Sequence, residues 1–410
     1  MVLVLLTAVR LVGRVEELRS FKHGTAQFLD FRIFFEAVAR AEETGQLYAS
    51  DRPDFFLPGS AVYKFPPPFA ATLTPFTEYD WLPVAKLFVV VNLFLLACVL
   101  TVFWRSVRPQ GWRWVLVSLV FLNWQPFWET LLGVQLEIGI LLLLTLGLAS
   151  VRTGRFLTSG AVVGVAAAFK VYPVFLLSYF VLWRRWRGLV GAVIGGGGAL
   201  LVATVVISLG ESIRYFVEIL PRLGGTSLSP ENLSLVAQIS RVFVGPSGIR
   251  DLFGDANTNQ ILESTPQGIW VFGFLVTGLS TVLIGSSVAA VHRARKAGCQ
   301  QREALSWCMA ICLLVILIPS SWVDYQTLLV LPAMYAVASA SRPRVDPLAW
   351  TLLGLAVLPA IVIDLNDAIW YPGLGLFAAL RALVPLFLWG ALVRILVKPR
   401  EAVTGSISLR

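Results

Sequence analysis

Beyond Leu82 the chain reads as a succession of apolar runs, at about 84–104, 112–124, 134–150, 156–170, 172–183, 188–209, 266–291, 304–319, 325–340, 347–364 and 372–396. Runs this poor in polar residues predict helices that cross a bilayer or lie buried in one. Several are shorter than the about 20 residues a full crossing needs, so tilt, re-entry or Trp and Tyr anchoring at the interface is expected for them. Residues 2–12 are apolar too, but the run is short, contains Arg10 and has no small-residue cleavage site. It reads as a short or incomplete first helix, with the true start expected upstream. Two long polar stretches, 14–83 and 210–265, interrupt the pattern. The expectation is an all-α, polytopic transmembrane bundle of about 10–12 spans. It forms one domain: a first outer loop at 14–83, helices over 84–209, a second outer loop at 210–265, helices over 266–396 and a tail at 397–410.

Within the first polar stretch, Asp30 to Glu43 alternates at helical spacing, with Phe31, Phe34, Phe35 and Val38 on one stripe. That predicts an amphipathic surface helix. The segment Tyr63-Lys64-Phe65-Pro66-Pro67-Pro68 is expected to be irregular, since proline lacks the helix donor. The glycines Gly195 to Gly198 lie inside an apolar run and predict close helix packing rather than a phosphate loop.

Composition agrees with a membrane protein. Of 410 residues, 57% are hydrophobic and 14% charged, against about a quarter charged in soluble domains. The net charge of +9 is explained by where the cations fall, not by nucleic acid. Alternate loops carry Arg105, Arg108 and Arg113; Arg152 and Arg155; Arg184, Arg185 and Arg187; Arg293, Arg295, Lys296 and Arg302; and Arg342 and Arg344, and the tail ends the series. The short loops between hold Glu129, Asp324, Asp364 and Asp367 and no cation. This puts the basic loops and the C-terminus in the cytoplasm, and both long loops outside. Cys98, Cys299, Cys308 and Cys312 form no disulfide framework, and two histidines make a His metal centre improbable.

Candidate chemistry gathers on the outer side. Lys170 ends an apolar run, where a cation needs a partner, a path to the interface or an anion to hold. Asp30 is open to two readings, a helix N-cap or a general base beside the bilayer. Asn232-Leu233-Ser234, Arg222 and Arg241 lie in the second outer loop, where an arginine fork suits acids or a phosphate. Ser320 to Tyr325 reads as an interface anchor or part of a site.

These pieces, in order, resemble the polytopic glycosyltransferases of the GT-C class, most closely glycosyltransferase family 87, the polyprenyl-phosphate-mannose-dependent alpha-mannosyltransferases. The matching residues are Asp30-Phe31 with Phe34 and Ala37, Gly45 to Tyr48, Tyr63 with Phe65-Pro66-Pro67, and Gly133-x-Gln135. Then come Gly160, Ala168-Phe169-Lys170-x-x-Pro173, the Trp183 to Arg187 turn, Asn232-x-Ser234 with Arg241, and Ser321-Trp322 through Tyr325. The resemblance covers about 28–340. It implies inverting transfer of a sugar, mannose by preference, from a polyprenyl-phosphate carrier to a lipid or glycan acceptor on the extracytoplasmic face of the cell membrane. It maps the family's general base onto Asp30. Donor-phosphate and substrate contacts are expected from Lys170, Arg241, Tyr63, Lys64, Gln135, Asn232 and Tyr325. The phosphate role of Lys170 is inferred from its charge. No metal or cofactor is expected beyond the lipid-linked sugar. Glu137 stands where the resemblance leads one to expect Asn. The rival readings are a transporter or flippase of an anionic or lipid-linked substrate, and a non-catalytic envelope scaffold.

Overall fold

The computed structural model describes residues 28–52, 54–56, 62–109, 111–223, 231–242, 266–296, 300–340, 346–363 and 375–397. The expected first helix at 2–12, Asp364, Asp367 and the tail lie outside the described residues. Within them every regular element is helical, and the isolated antiparallel bridge between Asn232 and Trp322 is the one strand-like pairing.

The chain opens with α1 (Leu29–Thr44), the predicted amphipathic helix, whose buried face is Phe31, Phe34, Phe35, Ala37 and Val38. It ends at Gly45, whose left-handed backbone (φ 74°) lets its N–H close on the Ala41 carbonyl. The buried face packs on aromatic rings: Phe31 lies 5.3 Å from Phe88 and Phe34 lies 4.8 Å from Phe65. Next is α2 (Pro67–Leu73): Tyr63 to Pro66 are irregular as expected, whereas Pro67 and Pro68 open a helix. Pro67 and Pro68 occupy the first turn, where the missing N–H has no intrahelical acceptor and the fixed φ favours helix.

The bundle follows. It comprises α3 (Trp81–Val107), α4 (Arg113–Leu122), α5 (Pro126–Gly133), α6 (Glu137–Arg152), α7 (Phe156–Phe169), a 3-10 turn Tyr172–Leu176 leading into α8 (Leu177–Leu182), α9 (Trp186–Val206) and α10 (Leu209–Arg214). After the second polar stretch come α11 (Pro266–Lys296), α12 (Gln300–Leu317), a 3-10 turn Val323–Leu329 leading into α13 (Val330–Ala340), α14 (Pro347–Val362) and α15 (Gly375–Val397). Among the described residues, four helical stretches are long and apolar enough to cross a membrane: Trp81–Val107, Trp186–Val206, Trp270–Lys296 and Ala379–Val397. The bent pair α4–α5 makes a fifth if counted as one span, broken by 40° where Pro126 restarts the helix. Counting apolar runs gave 10–12 spans. The structure resolves many of those runs into helices of 10–17 residues, such as α7 and α14, which are shorter than the hydrocarbon core is thick.

α6 runs from Glu137 to Arg152 and α7 returns from Phe156 to Phe169. Glu137 and Lys170 therefore share one end of the bundle, and Arg152 and Arg155 the other. α7 and α9 touch backbone to backbone. A Cβ on Gly160 would overlap the Gly188 carbonyl, and one on Gly195 the Ala161 carbonyl. Small residues thus allow the contact predicted from the glycine run, although Gly197 and Gly198 face open space. At the far end Arg185 forks onto buried Glu303 while its guanidinium lies 4.3 Å from the Phe156 ring.

The hairpin of α14 and α15 is tied to the core by Arg381, which is fully buried. Its guanidinium donates to both Glu129 oxygens (3.1 and 2.9 Å), to Gln326 Oε1 (2.7 Å) and to the Ile363 carbonyl (2.7 Å). Gln326 returns a bond to the Arg381 carbonyl at 2.7 Å. A charge this deep is tolerable because it is paired and its donors are used.

Candidate active site

Three connections converge on one end of the bundle. Asp30 sits in the first turn of α1, but the cap position is Phe28 and no side chain caps the helix. The N-cap reading of Asp30 is therefore excluded, and its carboxylate is free for other work at the favourable end of the helix dipole. Gln135, in the short link between α5 and α6, donates its amide to Asp30 Oδ2. Two residues on, Glu137 opens α6 and forms an ion pair with Lys170, the residue that ends α7.

Local sequence explains this link. α5 is closed by Val134 in the left-handed region (φ 49°), with its N–H on the Leu131 carbonyl at 3.2 Å and the Gln135 N–H on the Thr130 carbonyl at 3.0 Å. A β-branched residue is costly in that region and is kept only where its surroundings demand it. Gly133 leaves room for the neighbouring side chain: a Cβ there would stand 3.1 Å from Gln135 Cγ.

Lys170 is buried, at 4% exposure, and does not snorkel to solvent. Besides Glu137 it faces Asp324 Oδ2 at 3.7 Å. Its ammonium lies 4.5 Å from the centre of the Tyr325 ring, 4.8 Å from Phe65 and 6.0 Å from Tyr172. Two carboxylates and three ring faces compensate its lost hydration. Tyr172 and Tyr325 stack at 4.7 Å, so the turns before α8 and α13 meet over the cation.

Asp30 is exposed by area yet crowded by protein. That crowding raises its pKa above the ordinary carboxylate value, the Lys170 ammonium and the Gln135 amide lower it, and Glu137 raises it again. Glu231 in the second polar stretch is also raised, by burial first and then by Asp30 and Glu129. Both groups thus lie in each other's field.

The other expected contacts divide into neighbours and supports. Tyr325 lies in the cluster. Tyr63 is a support: its hydroxyl donates to the Pro66 carbonyl and accepts from the Ala70 N–H, both at 3.0 Å, holding the start of α2. Asn232 is fully buried and accepts from the N–H groups of Ser234 (3.2 Å) and Ser321 (3.0 Å), which fastens the second polar stretch to Ser321 beside its bridge partner Trp322. Arg241 donates to the Asn232 carbonyl at 2.5 Å, and burial lowers its pKa to about 10. Lys64 is half-buried, with its pKa lowered to about 8 by burial and partly restored by Asp54. The interface-anchor reading of Ser320 to Tyr325 gives way to a buried turn that carries Asp324 and Tyr325 into the cluster. Among the described residues no group of His, Cys, Asp and Glu could hold a metal ion.

The profile described as glycosyltransferase family 87 matches residues 63–321, well over half the chain. The chain belongs to glycosyltransferase family 87. Similar proteins include two polyprenol-phosphate-mannose-dependent alpha-(1-2)-phosphatidylinositol pentamannoside mannosyltransferases. The one from Mycolicibacterium smegmatis is 29% identical over 242 residues, 55% of each chain. The one from Mycobacterium tuberculosis is 27% identical over 241 residues, 55% of this chain and 53% of its own. The chain spans about half the length of these relatives. No solved structure matches it. The family 87 match contains Gln135, Glu137, Lys170, Asn232 and Arg241 but neither Asp30 nor Asp324 and Tyr325. For those three, proximity to the matched residues carries the argument.

Sequence reasoning named Asp30, Gln135, Lys170 and Tyr325 and did not anticipate that Glu137, Asp324 and Glu231 lie among them. The signal for Glu137 was available. It begins one apolar run and Lys170 ends the next, so antiparallel helices put the two charges at one height, where a buried lysine needs an acid.

Proposed function

We propose that this family 87 protein transfers a hexose, mannose by preference, from a polyprenyl-phosphate sugar to a lipid or glycan acceptor on the extracytoplasmic face of the membrane. The observation that carries the reading is the link Asp30–Gln135, then Glu137–Lys170, two residues apart on one turn. A carboxylate and a buried ammonium are thereby tethered to one turn at the end of a lipid-embedded bundle, the carboxylate within the ammonium's field. The relatives' names supply the donor class.

In the proposed reaction an acceptor hydroxyl attacks the anomeric carbon while its proton passes to the Asp30 carboxylate. The new C–O bond forms as the bond from the anomeric carbon to the phosphate oxygen breaks, and that electron pair leaves on the phosphate. Attack from the face opposite the leaving group inverts the anomeric centre. Lys170 stabilises the growing phosphate charge in a poorly hydrated setting, where one ammonium counts for more than in water. The raised pKa of Asp30 suits a base that must hold a proton and return it to water. A membrane location is fitting, because the donor's lipid tail never has to leave the bilayer.

The test is radiolabelled polyprenyl-phosphate mannose supplied to membranes containing the protein. Release of polyprenyl phosphate in step with transfer of label is expected. Uptake of label into vesicles without turnover would make the protein a carrier instead. For sidedness, Tyr79→Cys is informative because Tyr79 is 64% exposed before the first long span. Labelling of intact cells by a membrane-impermeant maleimide is expected, and labelling only after permeabilisation would place this end in the cytoplasm.

A further inference from the structure

We infer that Glu137 is a positioning residue: it holds the Lys170 ammonium at a set distance from the Asp30 carboxylate, through the stiff turn it shares with Gln135. The inference rests on the reading above, in which Asp30 is the base and Lys170 the cation on the donor phosphate.

Geometry carries it. Gln135 and Glu137 are two residues apart, and each ends on one of the two charged groups, Asp30 and Lys170. The backbone between α5 and α6 has little freedom, because Val134 is left-handed and its N–H and that of Gln135 are both spent on α5 carbonyls. Thr130, which supplies one of those carbonyls, has its hydroxyl 2.7 Å from Thr327 Oγ1, in the 3-10 turn that carries Asp324. Base, cation and second acid thus hang from one braced segment.

The two acids on Lys170 are unequal. Glu137 is wholly buried and in direct contact, whereas Asp324 is 3.7 Å away with its side chain 12% exposed. Glu137 is the fixed anchor, and Asp324 is the contact an arriving phosphate displaces. Lys170 can then serve the donor without leaving its place. Glu137 itself touches neither donor nor acceptor in this scheme, and acts only through Lys170.

The scheme has a signed electrostatic consequence. The charged groups in the field of Asp30 are Lys170 at the end of α7, Glu137 at the start of α6, Asp324 from the 3-10 turn and Glu231 from the second polar stretch. Lys170 stabilises the ionised base and Glu137 opposes that effect. Neutralising Glu137 is expected to shift the acid limb of the rate profile to lower pH, and neutralising Lys170 to shift it to higher pH.

The experiment compares Glu137→Gln, Lys170→Met and Asp30→Asn in the full chain, reconstituted in liposomes. It measures turnover of a short-chain polyprenyl-phosphate mannose against pH, with a membrane-lipid extract as acceptor, and thermal unfolding as a check on folding. Glu137→Gln is expected to lower kcat about 10- to 100-fold, as for a misplaced reacting group, with its acid limb moved down and that of Lys170→Met moved up. A native rate and an unmoved limb for Glu137→Gln, with Asp30→Asn inactive, would overturn the inference and leave the underlying reading intact. An active Asp30→Asn would instead overturn that reading. If Glu137→Gln does not fold, Glu137→Asp keeps the charge and shortens the reach. A lowered rate with an unmoved limb then supports the inference, and a native rate overturns it.

Discussion

Two buried cations at the same end of the bundle have been given different surroundings. Arg381 has both Glu129 oxygens, Gln326 and a carbonyl as acceptors, and its fork spans them at 2.7–3.1 Å. Lys170 has one close acid, a second at 3.7 Å and three aromatic rings. The first arrangement has little left to offer a ligand and joins two pieces of the protein. The second has a longer contact with Asp324 and lies in the field of the Asp30 carboxylate. Satisfaction of the hydrogen-bonding groups, more than burial, separates a cation that holds the fold from one that can act on a substrate.

The largest expected effect comes from breaking the satisfied pair. Arg381→Met leaves Glu129 buried alone and is expected to cost about 3–5 kcal/mol of stability, measured as the unfolding midpoint of the detergent-solubilised protein. Glu129→Leu in the same chain should recover most of it. If the single variant were as stable as the native protein, Arg381 would not be the joint described here. Lys170→Met is next: it leaves Glu137 buried without its partner, so stability falls as well, and activity is compared at a temperature where the variant is folded. Turnover is expected to fall about 100- to 1,000-fold, the range for removing one preorganised charge from a transition state. A fold that fails while the residual enzyme stays fast would erase the contrast.

Smaller effects serve as controls on the scaffold. Gly160→Ala forces a Cβ against the Gly188 carbonyl where α7 crosses α9, and overpacking of this kind costs about 1–3 kcal/mol. It should lower the melting midpoint and leave the acid limb of the pH profile in place. Tyr63→Phe removes a hydroxyl whose bonds are both internal, for about 1 kcal/mol. A donor KM raised tenfold in that variant would show Tyr63 to be a substrate contact after all.

Much of this was legible in the residues. The stripe Phe31, Phe34, Phe35 and Val38 became the buried face of α1, because a 3.6-residue period has one physical interpretation in an amphipathic segment. The glycine run became a close helix contact for the same kind of reason. Lys170 stood out as a charge in an apolar run. What could not be read was which acid it meets, since that depends on how α6, α7 and the 3-10 turn before α13 are arranged in space. The family resemblance also led one to expect substrate contacts at Asn232 and Tyr63. What the residues did not reveal is that both also bond inside the protein, where a buried loop must satisfy its own backbone. Of the proline segment only Pro67 and Pro68 departed from expectation, because a proline barred from helix interiors is well suited to the first turn.

The central claim is that Asp30 is the base beside Lys170. It is tested most directly by single-turnover transfer from polyprenyl-phosphate mannose by Asp30→Asn, in protein that unfolds at the native temperature. Removal of a general base predicts a fall of about 100- to 10,000-fold. A rate equal to that of the native protein would contradict the account.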